Sequence, residues 1–177
     1  MEDPSVPVLE TQRLRLLRMA EEDAPFLLGL LNEPSFLRFI GDRGVRTEDD
    51  ARAYVRNGPL ASYRQHGFGL YTVTLKATAA PIGICGLLRR ETLPAPDVGF
   101  AFLPAYWSQG YAYESARAVL DHGRDALGVT RVLAVTTVDN AASIRLLEKL
   151  GLRYARMVRL SNDAPALRLF STEVEAP

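Results

Sequence analysis

The sequence predicts a mixed α/β fold, in which helices flank one central, mostly antiparallel sheet. Residues 68–103 contain three short runs rich in β-branched and apolar residues, separated by turn residues, which is the pattern of an antiparallel meander. Residues 106–138 then place a long amphipathic helix pattern before a nearly continuous apolar strand. A strand, a helix and a second strand in this order predict a crossover to a parallel neighbour near the centre of the sheet.

Before the meander, the pattern predicts one strand and two helical regions. The run RLRLLRM at 13–19 alternates as a strand does. Residues 21–33 begin with acidic residues and continue with apolar ones, the order found at a helix N-terminus. Residues 47–67 have helical spacing again, whereas the segment NEPSF between the two regions predicts a break followed by a loop. The first eight residues include two prolines, and we expect them to be irregular.

After the meander, residues 106–128 have the strongest helical pattern of the chain, because apolar residues recur at helical spacing. A strand at 131–138 follows, and then a second helix at 139–151 with a capping residue at its start and a glycine at its end. The last two strands, at 152–160 and 166–174, are expected to form a closing hairpin.

The composition narrows the class of protein. A length of 177 residues fits one domain, for which we expect the bounds 1–177. Lys and Arg total 21 and so do Asp and Glu, which argues against binding nucleic acid through a large basic field. Cys85 is the only cysteine, so no intramolecular disulfide can form, and with two lone histidines we expect no metal site. Without an apolar leader or a run of about 18 apolar residues, we expect a cytoplasmic protein and no membrane partner.

A glycine stands where the strongest helix begins, in the segment YWSQGYAYESARAVL at 106–120. Backbone N–H groups at a helix N-terminus have no partner within the helix, and they can bind phosphate. Gly110 would let a phosphate approach these groups without a Cβ in the way. An ordinary strand-to-helix turn also accounts for a glycine here. The sequence contains neither a P-loop nor the G-x-G-x-x-G pattern of dinucleotide sites.

Two segments give the sequence its resemblance to a known family. YWSQGYAYESARAVL and TTVDNAASIRLLEKLGL, at 106–120 and 136–152, stand at the right separation and resemble the GNAT superfamily of N-acetyltransferases. Within it, the likeness is to the ribosomal-protein N-terminal acetyltransferases, and it runs from about Leu9 to the last strand. The resemblance implies the GNAT fold, whose fourth and fifth strands splay apart to form a cleft for acetyl-CoA, the acyl donor.

The resemblance also implies which residues hold the donor. The family pattern is Arg or Gln, two residues, Gly, one residue, and Gly or Ala. Trp107 stands at the first position here, so Gln109 or Arg117 is expected to compensate. The pyrophosphate of acetyl-CoA is then expected on the backbone amides of Gln109, Gly110, Tyr111, Ala112 and Tyr113.

The strand DVGFAFL at 97–103 is implied to contact the pantetheine arm through the backbone of Phe100, Ala101, Phe102 and Leu103. The N–H of Phe102 is expected to face the thioester oxygen and to stabilise the oxyanion that forms when an amine attacks. The alternative is that the two phenylalanines are core residues only. Asn140 matches a family asparagine that touches the CoA arm, and a plain helix cap is the other interpretation.

Two residues are candidates for moving protons. Asp97 stands where many relatives have a glutamate, and it is a candidate for taking the proton of the attacking ammonium through a bridging water. A solvated aspartate at a strand end is the alternative. The tyrosine that many relatives use to protonate the leaving thiolate is replaced by Leu147. Ser143 is therefore the candidate donor, and a structural serine near the helix start is the other interpretation.

The sequence therefore predicts an acetyl-CoA-dependent N-acetyltransferase that acts on a primary amine by direct attack in a ternary complex. A protein N-terminus is one candidate acceptor, and a small molecule such as an antibiotic or a polyamine is another. The missing tyrosine also leaves open a CoA-binding module without catalysis. The expected partners are acetyl-CoA and the amine acceptor, bound by a monomer or a homodimer.

Overall fold

One eight-stranded sheet organises the protein, whose computed structural model describes residues 3–173. In chain order the strands are β1 (Pro7–Glu10), β2 (Leu14–Arg18), β3 (Leu70–Leu75), β4 (Pro81–Leu88), β5 (Asp97–Phe102), β6 (Leu133–Thr136), β7 (Arg153–Val158) and β8 (Leu167–Ser171). Their spatial order is β1-β2-β3-β4-β5-β6-β8-β7, and every neighbouring pair except β5 and β6 is antiparallel. The predicted mixed, mostly antiparallel sheet is confirmed.

Helices cover both faces of this sheet. Over residues 3–173 they are α1 (Ala24–Leu31), α2 (Pro34–Phe39), α3 (Glu48–Asn57), α4 (Pro59–His66), α5 (Tyr111–Asp125) and α6 (Ala141–Lys149). α5 and α6 pack on one face, where Leu120 and Leu147 belong to the larger core cluster. α1 and α3 pack on the other face around Leu27 and Val55. Within the same residues, no helix has the length and apolarity needed to cross a membrane.

The N-terminal segment is more regular than its prolines suggested. β1 pairs with β2 across a bulge, and Val8 and Leu9 pack against the larger core. The prediction that residues 1–8 are irregular is therefore wrong from Pro7 onward, while residues 1 and 2 lie outside the described part. Proline is tolerated because β1 is an edge strand, where an N–H on the outer side needs no partner in the sheet.

The segment predicted as a break after α1 forms the short helix α2. Pro34 is its first residue, a position where the missing N–H of proline costs no intrahelical hydrogen bond. Phe36 is buried in the second core cluster and anchors the helix there. Arg38 forms an ion pair with Asp139 at 3.2 Å, so α2 reaches the connection between β6 and α6.

β7 and β8 form the predicted hairpin, with Val174 of the predicted last strand outside the described residues, and β8 lies between β6 and β7. β6 therefore has an antiparallel neighbour along its length on one side. On the other side, its parallel pairing with β5 is confined to Asp97 and Leu133, and beyond that pair the two strands diverge. This divergence is the predicted splay of the fourth and fifth strands, which become β5 and β6 once β1 is counted.

Gly86 in β4 and Gly29 in α1 give a matched test of this packing. A Cβ at Gly86 would lie 2.0 Å from the backbone oxygen of Gly69, whereas nothing lies within 4 Å of a Cβ at Gly29. Gly86→Ala is expected to lower the free energy of unfolding by roughly 1–3 kcal/mol, because backbone must move. Gly29→Ala should raise it by up to about 1 kcal/mol through helix propensity. Urea unfolding measures both, and equal stability of the two variants would contradict the close approach at Gly86.

Candidate functional site

The backbone of β5 presents hydrogen-bonding groups to both of its sides. Leu103 donates its N–H to the carbonyl of Ile82 at 2.9 Å, so these two residues are a bonded position of the β4–β5 ladder. Bonded positions alternate with positions whose N–H and C=O groups point away from the partner strand. The register of the ladder puts Phe100 and Phe102 at positions of the second kind. Their backbone groups therefore point toward the side of β6.

Among residues 3–173, no strand pairs with these groups beyond Asp97 and Leu133. The N–H of Leu133 is bonded to the carbonyl of Pro96 at 2.8 Å, and in the described part of the chain β6 makes no later pairing with β5. The N–H groups of Phe100 and Phe102 therefore face a gap that an extended ligand can enter. The backbone N–H of Leu103 is already bonded to β4, so it is unavailable for the predicted contact with a ligand.

The turn before α5 leaves the N-terminus of that helix open. Gly110 is the N-cap with φ +83° and ψ 2°, a left-handed conformation that favours glycine, and no side chain caps the helix. Ser108 is also left-handed, with φ +60°. The free N–H groups of the first turn and the positive end of the helix dipole together form a surface suited to an anion.

Trp107 connects this turn to the gap. Its indole Nε1 donates to the carbonyl oxygen of Phe102 at 2.8 Å, and 48% of the residue is exposed. Because that carbonyl is one of the groups directed toward β6, the indole lies at the end of the gap nearest to α5. The turn and β5 are thereby fixed to each other.

Trp107 replaces the Arg or Gln of the family pattern. The two predicted substitutes for that side chain are Gln109 and Arg117, and neither is directed at the start of α5. Gln109 Nε2 donates to the carbonyl of Ala105 at 3.1 Å. Arg117 Nη2 donates to the carbonyl of Leu150 at 2.6 Å, just beyond the C-terminal end of α6. In this structure both side chains therefore bond elsewhere, and compensation by Gln109 or Arg117 stays a prediction.

Arg13 contacts the turn instead; it begins the basic run RLRLLRM and was not among the predicted site residues. Its Nη1 donates to the carbonyl of Gln109 at 3.0 Å, its Nε pairs with Glu114 at 2.7 Å, and its guanidinium lies 4.3 Å from the ring centre of Tyr111. Glu114 also accepts a hydrogen bond from the hydroxyl of Thr11 at 2.6 Å. Burial raises the pKa of Glu114, but the hydrogen bonds from Thr11 and Arg13 outweigh it and hold the pKa below its ordinary value of 4.5.

α6 begins beyond the open end of β6. Asn140 caps this helix, because its Oδ1 accepts the N–H of Ser143 at 3.3 Å. The cap interpretation of Asn140 is confirmed, and the cap leaves the amide Nδ2 as a donor for another group. Ser143 is partly exposed in the first turn of α6. Leu147 is 1% exposed and belongs to the core, so it offers no polar group to the site.

Asp97 lies at the closed end of the gap and is only 1% exposed. Both of its carboxylate oxygens are 3.1 Å from Nε of Arg90. Burial raises the pKa of Asp97 above its ordinary value of 3.8, and the charge and hydrogen bond of Arg90 oppose this rise without cancelling it. The solvated strand-end aspartate is therefore excluded. Strand alternation puts the side chain on the same face as Ala101, which belongs to the cluster on the face opposite α5.

Comparison with known sequences agrees with this architecture. The profile of the family described as Acetyltransferase (GNAT) domain matches residues 13–153. The chain is 32% identical over 162 residues to the protein YkkB of Bacillus subtilis, which covers 90% of this chain and 92% of that protein. It is 27% identical to a protein named N-acetyltransferase YoaA of Bacillus subtilis, over 86% of each chain.

A solved structure shares the fold. RimL, a ribosomal-protein alpha-N acetyltransferase in complex with coenzyme A, aligns with a TM-score of 0.81 at 17% identity, covering 96% of this chain and 98% of that one. The family match over residues 13–153, together with a sheet that has one splayed parallel pair beside an open helix N-terminus, identifies an acyltransferase of the GNAT type. The chain belongs to the GNAT acetyltransferase family, and it is an N-acetyltransferase.

The burial of Asp97 predicts a pH dependence of stability. Because the pKa of Asp97 is raised in the folded protein, the unfolded chain ionises first as the pH rises above the ordinary value of 3.8. The folded state therefore loses stability between the ordinary and the raised pKa, and the loss is constant above it. Asp97→Asn cannot ionise, so its stability relative to the wild type should increase through this window. Urea unfolding from acidic to neutral pH measures the difference, and a difference independent of pH would contradict the burial.

Proposed function

We propose that the protein transfers the acetyl group of acetyl-CoA to a primary amine, with a protein N-terminus as the class of acceptor. The proposal rests on two features that lie next to each other, the gap beside β5 and the N-terminus of α5. A gap faced by the N–H groups of Phe100 and Phe102 ends beside the uncapped N-terminus of α5. An anion site and a row of backbone donors suit the two halves of one ligand, a pyrophosphate and an amide-bearing arm.

The donor would lie along these features in order. The pyrophosphate rests on the backbone amides from Gln109 to Tyr113, which the left-handed turn at Gly110 leaves open. The pantetheine arm follows β5 as an added strand and meets first the N–H of Phe102, which is nearest to α5. Asn140 Nδ2 contacts the arm from the other side of the gap. The solved structure of RimL, which shares this fold, is a complex with coenzyme A, and this supports coenzyme A as the class of ligand.

Two groups of the chain then meet the negative charge that the reaction develops. The sequence prediction gave the oxyanion contact to Phe102, but the thioester lies at the far end of the arm from the pyrophosphate. As the amine adds to the thioester carbonyl, the N–H of Phe100 therefore donates to the oxygen that becomes negative. As the adduct collapses and the bond from carbon to sulfur breaks, the Ser143 hydroxyl donates to the leaving sulfur. Backbone and hydroxyl thus supply the donors that the core residue Leu147 cannot.

The acceptor approaches from the face opposite α5, where Asp97 lies. An ammonium must lose a proton before it attacks, and a base works best when its pKa is near the working pH. The raised pKa of Asp97 moves its carboxylate in that direction. Since Asp97 is 1% exposed and bonded to Arg90, the proton travels to it through a bridging water.

The likeness to RimL supports a protein N-terminus rather than a small amine as acceptor, because RimL is named as an alpha-N-protein acetyltransferase. An acceptor of that kind, together with a single cysteine that is buried, fits a cytoplasmic protein.

Gly110→Val and Gly128→Val test the donor site as a matched pair. The two glycines flank α5 and have left-handed φ values of +83° and +66°, so valine is strained at both. At Gly110 the new side chain meets Arg13, since a Cβ there lies 3.2 Å from Nη2, and displaces the turn that presents the amides to the pyrophosphate; nothing lies within 4 Å of a Cβ at Gly128. Gly110→Val is expected to weaken acetyl-CoA binding about 100-fold, or roughly 3 kcal/mol, and Gly128→Val to bind like the wild type. Calorimetric titration measures both, and equal affinities in the two variants would contradict the proposed site.

The class of acceptor is tested by thiol release from acetyl-CoA with N-terminal peptides and, separately, with polyamines and aminoglycoside antibiotics. Release with peptides is the expected result. Release with small amines alone would reassign the acceptor. Binding of acetyl-CoA without release in either panel would identify a CoA-binding module rather than an enzyme.

A further inference from the structure

We infer that Arg13 is a positioning residue of the donor site, which holds the turn before α5 open to a pyrophosphate and neutralises the carboxylate of Glu114 beside it. Arg13 precedes β2 and lies 96 positions from Gln109, the residue whose carbonyl it binds. The inference rests on the proposed acetyl-CoA site and assigns to it a residue outside the helix motif.

The contact with Gln109 orients one peptide group. In a trans peptide the carbonyl of one residue and the N–H of the next point in opposite directions. Arg13 Nη1 bonds the Gln109 carbonyl at 3.0 Å and so draws it toward the β1–β2 connection. The N–H of Gly110 is thereby directed away from Arg13, toward the open side of the turn. Without Arg13, this peptide group is free to rotate and the site for the anion is no longer preformed.

The space beside Gly110 is shaped by the same side chain. A Cβ at Gly110 would lie 3.2 Å from Arg13 Nη2, so the guanidinium lies directly against the glycine. The stacking of the guanidinium on Tyr111, at 4.3 Å, fixes its plane. These contacts hold the turn on the side away from the proposed ligand.

The contact with Glu114 reduces the repulsion between its carboxylate and a bound pyrophosphate. Glu114 lies in the first turn of α5, and its side chain is 18% exposed. An ionised carboxylate there repels a pyrophosphate on the same helix end. Arg13 Nε at 2.7 Å and the Thr11 hydroxyl at 2.6 Å bind this carboxylate and draw it away from the turn. In the described part of the chain, Arg13 is the cationic side chain that bonds this turn. Trp107, which stands at the position of the family Arg or Gln, bonds the carbonyl of Phe102.

Arg13→Ala and Arg15→Ala form a matched pair for the test. The two side chains are 41% and 45% exposed, and each forms an ion pair of 2.7 Å, Arg13 with Glu114 and Arg15 with Glu10. Each variant is assayed with acetyl-CoA and with S-acetylpantetheine, which has the thioester arm but no phosphate. Arg13→Ala is expected to raise KM for acetyl-CoA about tenfold or more, with kcat nearly unchanged. Its kcat/KM for S-acetylpantetheine should equal that of the wild type, and Arg15→Ala should change neither donor.

Equal KM values for acetyl-CoA in the two variants would overturn the inference. An equal loss with both donors would also overturn it, because Arg13 would then support the fold rather than the phosphate site. If Arg13→Ala does not fold, Arg13→Lys keeps the charge but loses the paired geometry, and it should show the same donor-selective loss at smaller size. Failure of the proposed function is seen separately, as absence of acetyl-CoA binding by the wild type.

Discussion

The site depends on a hydrogen-bond ladder that ends after one pair. β5 and β6 meet at Asp97 and Leu133 and then separate, although each strand continues. Backbone N–H groups left without a partner carry a free-energy cost, so donors inside a gap bind water or a ligand. β4 holds β5 on one side and β8 holds β6 on the other, which keeps the gap open. The fold thus maintains a row of backbone donors ready for an extended ligand.

Both ends of this gap are fixed by contacts from elsewhere in the chain. At the closed end, the ion pair of the buried Asp97 with the partly exposed Arg90 lies where the strands meet. At the open end, Trp107 binds β5 to the turn, and Arg13 binds the turn to the β1–β2 connection. Because backbone groups make up most of the proposed donor site, side-chain departures from the family pattern at Trp107 and Leu147 are compatible with the same chemistry.

The local parts of this architecture could be predicted from the sequence. The meander, α5 and α6 follow from hydrophobic period and capping residues, which act over a few positions. β1 and α2 were not predicted, because proline usually interrupts strands and helices. Proline is nevertheless tolerated on an edge strand and at the first position of a helix, where β1 and α2 have it. Both exceptions depend on neighbours that the local pattern does not include.

The non-local parts could not be predicted. Arg13 and Glu114 are 101 positions apart, and only the docking of α5 beside the β1–β2 connection brings them together. From the sequence alone, a polar residue at the start of a strand is expected to be exposed to solvent. Asp97 is buried because β5 lies between β4 and β6. Arg117 is likewise directed away from the start of α5 by a long-range contact, its hydrogen bond to the carbonyl of Leu150.

Amide hydrogen exchange along β5, measured by NMR with and without acetyl-CoA, tests the central claim most directly. In the free protein, the amides of Gly99 and Ala101 should exchange slowly, because they face β4, while those of Phe100 and Phe102 should exchange fast. Saturating acetyl-CoA should slow Phe100 and Phe102 and leave Gly99 and Ala101 unchanged. Uniform exchange along the strand, or no protection of Phe100 and Phe102 by bound acetyl-CoA, would contradict a gap that binds its ligand through the unpaired backbone of β5.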